Sequence, residues 1–468
     1  HVGSSPLLQT AYQAHWSLLP DIGVDLLATP LLAFVPPLIA GHIIVIFILA
    51  VLYGGVLYFH RVLTGQGSVL IAVLLLPLLY SYILNWGFAN FLLGLGLAFW
   101  AGGWWLSNRH RLRLAVPVSC LLSVLIFLTH GIAFALYGIL VASLEVGLFL
   151  NAPSRRLSGL ARALLPVMAQ AVIPAVFFLY WMLGGAHGAA DAPVSQTMLD
   201  DVSLGFSGRF FYHLATLLRV EEGPAYWFDI ATFFVQLGAV GFLIWRRQMT
   251  ITRTVWPLLA ITAALTAIGP PAMLGVGHIS DRMPLFGALI VLGALGVRKA
   301  GWTAATRAAC GVLIVTVAVR LIAIAVSWHG YGQSYQEFRS IAGAVPPGSL
   351  TLGIMVGSGH HETEVPRCEM YDPLLIAQYG QIGPLFADEK QQPLRLVGAL
   401  KNAVKALPAT AIIPLGDGAE YNRYMTTAAA AGFDYLLVCN RHVVNQALPG
   451  PLDVVAETPH FALLRAGK

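Results

Sequence analysis

The chain has 468 residues, of which 57% are hydrophobic and only 10% are charged, whereas soluble domains carry about 25% charged residues. That composition excludes an ordinary soluble protein. The formal net charge of +5 does not indicate a nucleic-acid partner, because the arginines lie in short turns between apolar runs rather than in one basic stripe.

Apolar runs of membrane-spanning length fill the chain as far as Trp328. About seventeen or more apolar residues cross roughly 30 Å of hydrocarbon as a helix. We therefore predict an α-helical polytopic membrane domain of about ten transmembrane helices over residues 38–328. The predicted helices are Leu38–Phe59, Val69–Leu84, Phe88–Leu106, Leu114–Thr129, Gly131–Leu150, Ala161–Leu183, Tyr226–Trp245, Thr254–Ile268, Pro284–Val297 and Ala308–Ser327.

The charges in the turns between these helices predict their orientation. Every second turn carries basic residues and no acid, and Lys and Arg in short loops stay on the cytoplasmic side. Residues 1–37, the loop 184–225 and residues 329–468 then share the outer face of what we predict to be a bacterial inner membrane. The basic turns contain Arg61, Arg109, Arg111, Arg113, Arg155, Arg156, Arg162, Arg246, Arg247, Arg253, Arg298, Lys299 and Arg307. The acids of the other turns are Asp191, Asp200, Asp201, Glu221, Glu222 and Asp281.

Three regions lie outside the predicted spans. Residues 1–37 form an extracytoplasmic segment in which Leu19–Pro37 has the pattern of an amphipathic interfacial helix, and Phe206–Leu218 is a second such helix. Residues 329–468 alternate β-like and helix-like runs, which predicts a small soluble α/β domain. Its β-like runs are SLTLGIMVG, AIIPLG, YLLVCN, DVVAE and FALLRAG, and its predicted helices are Ala399–Leu407 and Ala419–Ala431.

Two arginines lie at or below the predicted outer interface, where the phosphate of a lipid would bind. Arg282 directly precedes a membrane helix, and Arg320 lies about eight residues before Trp328, roughly 12 Å deep by helical rise. The guanidinium group is a planar, bidentate donor that suits phosphate. The structural alternatives are an interfacial anchor paired with Asp281 for the first arginine and snorkelling of the long side chain for the second.

Other outer turns hold side chains that could bind a substrate. Asn85, Trp86 and Asn90 lie in one turn whose amides both donate and accept hydrogen bonds, although they could equally cap helices and belong to the aromatic belt. His130, between two helices, is a candidate base, although a single histidine more often has a structural role. The further candidates, in the turn GHISDRM, are His278 and Asp281.

The cysteines and histidines predict no metal site. Adjacent histidines in the C-terminal domain point in different directions, and neither HExxH nor CxxC accompanies them. Cys368 and Cys439 could form a disulfide if that domain is oxidised, but spacing alone does not decide it. The histidines and their acidic neighbours are His360, His361, Glu362 and Glu364.

The chain resembles the GT-C superfamily of membrane glycosyltransferases, in particular bacterial members that end in an outer α/β domain. The resemblance covers nearly the whole chain, although its motifs are diffuse. The motifs are WSLLPDIGVDLLATPLL (16–32), NWGFANFLLGLGLAFW (85–100), FLTHGIAFALYG (127–138), GHISDRMP (277–284), and YLLVCN followed by FALLR.

The resemblance implies a donor sugar linked to polyprenyl phosphate and a catalytic acid in the first outer loop. Asp21 and Asp25 are the visible acids in that region, and a principal acid upstream of His1 is the alternative. The partners implied are membrane lipid and a glycan, lipid or protein acceptor, with no nucleic acid. A divalent metal stays an open question at this point.

A non-enzymatic membrane component is the competing interpretation. A scaffold or assembly subunit would keep the fold without its chemistry, and a transporter would have internal repeats and ionisable residues on broken helices. The sequence has no evident repeat, and Arg320 is nearly its only deep charge, which does not favour a transporter. A scaffold would be favoured if the residues upstream of His1 also lack an acid in the outer loop.

Overall fold

The computed structural model describes residues 5–16, 20–153, 155–183, 206–223, 225–269, 279–298, 300–356, 371–384, 393–407, 412–413, 418–439 and 452–467. The chain forms two compact units. The membrane unit comprises Leu18–His187 and Val194–Ala323, and the C-terminal unit comprises His1–Ser17, Gly188–Pro193 and Ile324–Lys468. The first seventeen residues thus belong with the C-terminal residues, a division that differs from the interfacial segment 1–37 proposed above.

Helices dominate the described chain. In chain order they are α1 (Pro6–Gln9), α2 (Gly23–Leu31), α3 (Pro37–Thr64), α4 (Val69–Leu79), α5 (Tyr82–Asn85), α6 (Ala89–Asn108), α7 (Leu112–Thr129), α8 (Gly131–Asn151), α9 (Leu157–Ala169), α10 (Val172–Leu183), α11 (Phe206–Thr216), α12 (Tyr226–Trp245), α13 (Trp256–Ile268), α14 (Ile279–Ala294), α15 (Ala304–Ala342), α16 (Asp372–Tyr379), α17 (Gly398–Lys405) and α18 (Gly418–Ala430). The strands are β1 (Tyr12–Ala14), β2 (Met249–Ile251), β3 (Leu295–Val297), β4 (Thr351–Val356), β5 (Leu394–Leu396), β6 (Ile412–Ile413), β7 (Tyr435–Cys439), β8 (Leu452–Glu457) and β9 (Phe461–Ala466).

Six helices within the described residues are long and apolar enough to cross a membrane: α3, α6, α7, α8, α12 and α15. The pair α9 and α10, bent by 46°, makes a seventh if it counts as one span. The prediction of about ten spans is therefore too high. Each of the two predicted interfacial segments contains a helix, namely α2 within Leu19–Pro37 and α11 with the 3-10 turn Leu217–Arg219 within and just beyond Phe206–Leu218.

The number of membrane spans was overestimated because an apolar run need not be one straight helix. The predicted span Val69–Leu84 is split, since α4 ends after Pro77 and the side chain of Ser81 caps a new helix by accepting from the Leu84 N–H. The predicted span from Pro284 instead starts within a helix and ends in β3, because Leu295–Val297 pairs with β2. Hydropathy alone does not separate an apolar strand from the end of an apolar helix.

Large apolar side chains cover the outward faces of several of these helices. Ile46 is 67% exposed, Val315 is 61% exposed and Ile322 is 63% exposed. In water such side chains would forgo the free energy of burial, whereas lipid tails shield them from water. The apolar helices are those of a membrane protein.

Turns predicted for the same side of the membrane meet at one end of the membrane unit, here called the basic end. Strand β2 follows the basic turn after α12 and pairs antiparallel with β3, which precedes Arg298. The Gln66 side chain, after α3, donates to the carbonyl of Val297 at 3.1 Å. Arg109 at the end of α6 donates to Glu145 of α8 at 2.7 Å. These contacts agree with the alternation of charge along the sequence.

The C-terminal unit contains a mixed five-stranded sheet in the order β6-β4-β7-β9-β8. The pairs β4–β6 and β4–β7 are parallel, and β7–β9 and β8–β9 are antiparallel. All five β-like runs of the sequence form strands of this sheet. Tyr12 is buried in the same core and β1 pairs with β5, which explains why the N-terminal residues join this unit.

Candidate functional site

A turn before α2 packs against the junction between α7 and α8. The backbone N–H groups of Asp21 and Ile22 both donate to the carbonyl of Leu128, at 3.1 and 3.0 Å. Gly23 permits the close approach, since an added Cβ would lie 2.8 Å from the Cα of Thr129. Because Gly23 has no side chain, the turn can lie close enough to Thr129 to hold Asp21 against the junction between α7 and α8.

Asp21 is held in an unusual backbone conformation. Its φ of 87° is in the left-handed region, which non-glycine residues seldom adopt and which functional sites often hold under strain. The Asn90 side chain clamps this turn, because its Nδ2 donates to the carbonyl of Asp21 at 2.8 Å and its Oδ1 accepts from the N–H of Val24 at 2.6 Å. The predicted site residue Asn90 therefore acts on the backbone around the predicted acid.

Arg282 lies in the first turn of α14 and is almost fully buried, with 3% of its surface exposed. Its guanidinium carbon lies 4.3 Å from the ring centre of Phe88 and 5.2 Å from that of Phe91, in cation–π contact. Its Nη1 lies 3.3 Å from Nε2 of His130. Its Nε has no hydrogen-bond partner within the described part of the chain.

The charge of Arg282 is balanced by nearby acids. Burial lowers the pKa of this arginine to about 10, and the negative charges of Asp21 and Asp281 oppose the shift. The side chain thus stays protonated at neutral pH. A buried cation beside a carboxylate can bind an anion and assist a proton transfer at the same place.

A second arginine, which the sequence analysis did not single out, connects the remaining candidates. Arg219 lies 3.5 Å from the carboxylate of Glu222 and 3.9 Å from that of Asp281, and it donates to the hydroxyl of Tyr82 at 3.0 Å. Asn85 donates to the carbonyl of Glu222 at 3.1 Å. The position of Arg219, after a predicted interfacial helix, was the only signal for it.

Trp86 belongs to the aromatic wall of this region. Its ring centre lies 5.5 Å from that of Tyr82 and 6.4 Å from that of Phe88, the latter pair being stacked. The structure thus brings most of the predicted candidates to the end of the membrane unit opposite the basic end. We call this group the polar end; it comprises Asp21, Asn85, Trp86, Asn90, His130, Arg219, Glu222, Asp281 and Arg282.

Arg320, predicted to bind the same phosphate as Arg282, has other partners. It is fully buried and donates to the carboxylate of Asp229 and to the backbone carbonyl of Glu221. Its Nε lies 3.6 Å from the Glu221 carboxylate, and its Nη1 lies 3.4 Å from the hydroxyl of Thr232. The guanidinium is thus engaged by two acids, which is the pattern of a structural ion cluster.

Asp229 is a partner of Arg320 that the sequence analysis missed. Its other carboxylate oxygen accepts from the N–H groups of Gly223 and Ala225, at 2.9 and 3.2 Å. An acid in the first turn of an apolar span was a usable signal, since intramembrane charges are normally paired.

Besides Arg320, two further predicted site residues are not among the residues of the polar end. Asp25 lies one turn further along α2, and no described contact joins its side chain to Arg282. Burial raises the pKa of Asp25, and a hydrogen bond with its own backbone opposes the shift. His278 lies outside the described residues.

An apolar cavity of about 430 Å³ opens between helices of the membrane unit. Met283 and Pro284, which directly follow Arg282 along α14, lie in its wall. Its few polar wall groups include Glu221, Gln236 and Thr262. A cavity of this volume is in the range of ligand pockets, and its wall suits a hydrocarbon chain.

No metal site is found within the described residues, since no three His, Cys, Asp or Glu side chains there are grouped to hold an ion. His360, His361, Glu362 and Glu364 lie outside those residues. Cys439 is disulfide-bonded, whereas the thiols of Cys120 and Cys310 are free. The fourth cysteine, Cys368, also lies outside the described residues.

The fold and the polar end define a helical, polytopic membrane protein with a small C-terminal unit that contains strands. No protein family model matches the chain, and neither a curated protein nor a solved structure matches it. What the protein does is therefore inferred from the chemistry of the polar end.

Proposed function

We propose that the chain is a GT-C-like glycosyltransferase that moves a sugar from a polyprenyl-phosphate donor to an acceptor hydroxyl at the outer face of a bacterial inner membrane. The observation that carries the proposal is the buried guanidinium of Arg282 within electrostatic reach of the Asp21 carboxylate. The guanidinium can bind the phosphate of the donor, and the carboxylate can take the proton from the acceptor hydroxyl.

In this proposal the acceptor oxygen attacks the anomeric carbon of the sugar. The carboxylate of Asp21 takes the proton from the acceptor hydroxyl as the new carbon–oxygen bond forms. The bond between the anomeric carbon and the phosphate oxygen breaks, and the electron pair leaves with the polyprenyl phosphate. Arg282 stabilises the charge that develops on that phosphate.

The apolar cavity supports a lipid donor. Met283 and Pro284 of its wall directly follow Arg282 along α14, so the cavity lies next to the helix turn that carries the buried cation. A polyprenyl chain is a hydrocarbon and gains free energy by leaving water for such a wall. The donor needs no nucleotide, which suits a reaction outside the cytoplasm.

The catalytic step is tested by an Asp21→Asn variant. Asparagine tolerates a positive φ and removes the base, so we expect a folded protein whose transfer rate falls by about 10²- to 10⁴-fold while lipid affinity persists. The measurement is transfer of labelled sugar from polyprenyl-phosphate donors to membrane acceptors in nanodiscs. Asp25→Asn is the matched comparison, since it removes the same charge one turn away. If sugar transfer is lost in Asp25→Asn but not in Asp21→Asn, Asp25 is the base instead.

A scaffold or assembly subunit is the second candidate, and the ion cluster of Arg320 favours it. A buried arginine held by Asp229 and Glu221 maintains helix packing and needs no substrate. If wild-type protein transfers no sugar and Asp21→Asn changes neither its lipid affinity nor its stability, the scaffold becomes the better explanation.

The proposal also places the C-terminal unit on the extracytoplasmic side, because it follows a helix opposite the basic turns. Asn402→Cys, at an exposed position of α17, should then react with an impermeant maleimide in spheroplasts. Thr250→Cys, exposed in β2 at the basic end, should react only after the membrane is permeabilised. The reverse pattern would contradict this orientation and the outer-face reaction together.

A further inference from the structure

The ring of His130 has a defined protonation pattern. His130 is the N-cap of α8, and its Nδ1 accepts a hydrogen bond from the backbone N–H of Ile132 at 3.1 Å. A ring nitrogen that accepts carries no proton, so the proton of the neutral ring is on Nε2. Burial, aided by the charge of Arg282, lowers the pKa of His130 well below its ordinary value, which keeps the ring neutral.

Nε2 of His130 therefore faces a second donor. It lies 3.3 Å from Nη1 of Arg282, and a guanidinium nitrogen donates but does not accept. The two N–H groups cannot bond to each other. Both residues are almost fully buried, at 5% and 3% exposed, so solvent does not readily replace the missing acceptor.

Two further features draw negative charge to the same place. Nε of Arg282 has no hydrogen-bond partner within the described residues, and an unpaired buried donor is costly. The backbone of α8 begins at Gly131, so the positive end of this long helix lies beside the His130 ring. An anion placed beside the two side chains would accept from Nε2–H of His130 and from the guanidinium of Arg282 together.

We propose that His130 and Arg282 share one ligand, with His130 donating its Nε2–H to an oxygen of the same lipid phosphate that Arg282 binds. His130 is then a phosphate-binding residue and not the general base. The identification of the anion as a lipid phosphate rests on the proposed function, whereas the pairing of the two donors does not.

Two substitutions separate this role from the helix cap. His130→Asn places a carbonyl oxygen near the position of Nδ1 and keeps the cap, but it has no donor near the position of Nε2. His130→Gln reaches the position of Nε2 with an amide donor but loses the cap. The probes are polyprenyl phosphate, the uncharged polyprenol and inorganic phosphate, with the full chain in nanodiscs. Arg246→Ala, an exposed site at the basic end, controls for the loss of a positive charge.

We expect His130→Asn to melt like wild type and to bind polyprenyl phosphate about tenfold more weakly, with the affinity for polyprenol unchanged. His130→Gln should melt at a lower temperature and keep most of the affinity for the phosphate. Inorganic phosphate should compete poorly. Arg246→Ala should match wild type.

Wild-type affinity in His130→Asn would overturn the inference and leave His130 as a cap alone. Equal loss for polyprenyl phosphate and polyprenol would overturn it too, and inorganic phosphate binding as tightly as the lipid would overturn the lipid assignment. The selective loss in His130→Asn without any sugar transfer by wild type would refute the proposed function and support this inference. If the wild type transfers sugar and His130→Asn keeps the wild-type affinity, the proposed function is supported and this inference is refuted.

Discussion

Arg282→Ala is expected to weaken polyprenyl phosphate binding by about 1.5–3 kcal/mol, roughly ten- to a hundredfold, and to lower sugar transfer at least as much. The side chain is a buried cation, so its attraction to an anion is little screened by water or salt. The affinity for uncharged polyprenol should stay the same, because the hydrocarbon contacts do not involve the guanidinium.

Arg282→Lys refines this prediction. Lysine keeps the charge but offers a point donor in place of the planar fork, so it should recover only part of the affinity. It should also weaken the contacts with Phe88 and Phe91, although the variant remains cationic. Binding is measured by titrating labelled lipid into nanodiscs that contain each variant, after its folding has been checked by thermal unfolding. Unchanged affinity in both variants would contradict a phosphate site at the polar end.

Arg320→Ala is expected to lower the free energy of unfolding by about 3–5 kcal/mol, or to prevent folding, with or without lipid. The substitution would leave Asp229 and Glu221 buried without the cation that they share. Burial raises the pKa of Glu221 against the opposing charge of Arg320, which shows how poorly solvated this carboxyl is. The measurement is the denaturation midpoint of lipid-free protein in detergent.

Glu221→Gln is the matched control for Arg320. Glutamine keeps a side-chain oxygen that can accept from Gln236, which donates to Glu221 at 2.8 Å, and it removes one of the two negative charges. We expect a change in stability below about 1 kcal/mol, because Asp229 still pairs with the arginine. A stable Arg320→Ala protein that has lost affinity for polyprenyl phosphate would contradict the structural role and return Arg320 to the phosphate site.

Several strands were predictable because their patterns are local. The run at β7 has five consecutive residues, Tyr435–Cys439, without a charge, and β9 begins with an apolar run of the same kind. Each lies between polar or glycine-containing segments, and such short runs are typical of buried strands. Their order in the sheet was not predictable, since β7 pairs with both β4 and β9 through contacts distant in sequence.

The number of spans was less predictable for a physical reason. Hydropathy measures the free energy of moving side chains out of water, and that free energy is the same whether the backbone is straight, bent or paired as a strand. The bend between α9 and α10 and the pairing of β3 with β2 depend on neighbouring elements. The overestimate of the number of spans therefore came from apolar runs near the limit of membrane-spanning length.

Most residues of the polar end, although not Arg219, were found from the sequence because they lie in turns that share one predicted side of the membrane. Asn90, His130 and Arg282 were chosen in this way, without knowledge of their distances. What the sequence did not show is the role of each side chain. Asn90 clamps the backbone around Asp21, and His130 caps a helix while facing Arg282.

Composition and turn charge act residue by residue, so the sequence alone was enough to predict a membrane protein and the approximate bounds of several apolar helices, such as Tyr226–Trp245 and Gly131–Asn151. Which charges meet depends instead on the packing of helices that are distant in sequence. Arg320 and Asp229 are 91 positions apart, and Arg282 and His130 are 152 apart. Helix packing sets those distances, and it therefore decided that Arg282 faces another donor whereas Arg320 is held by acids.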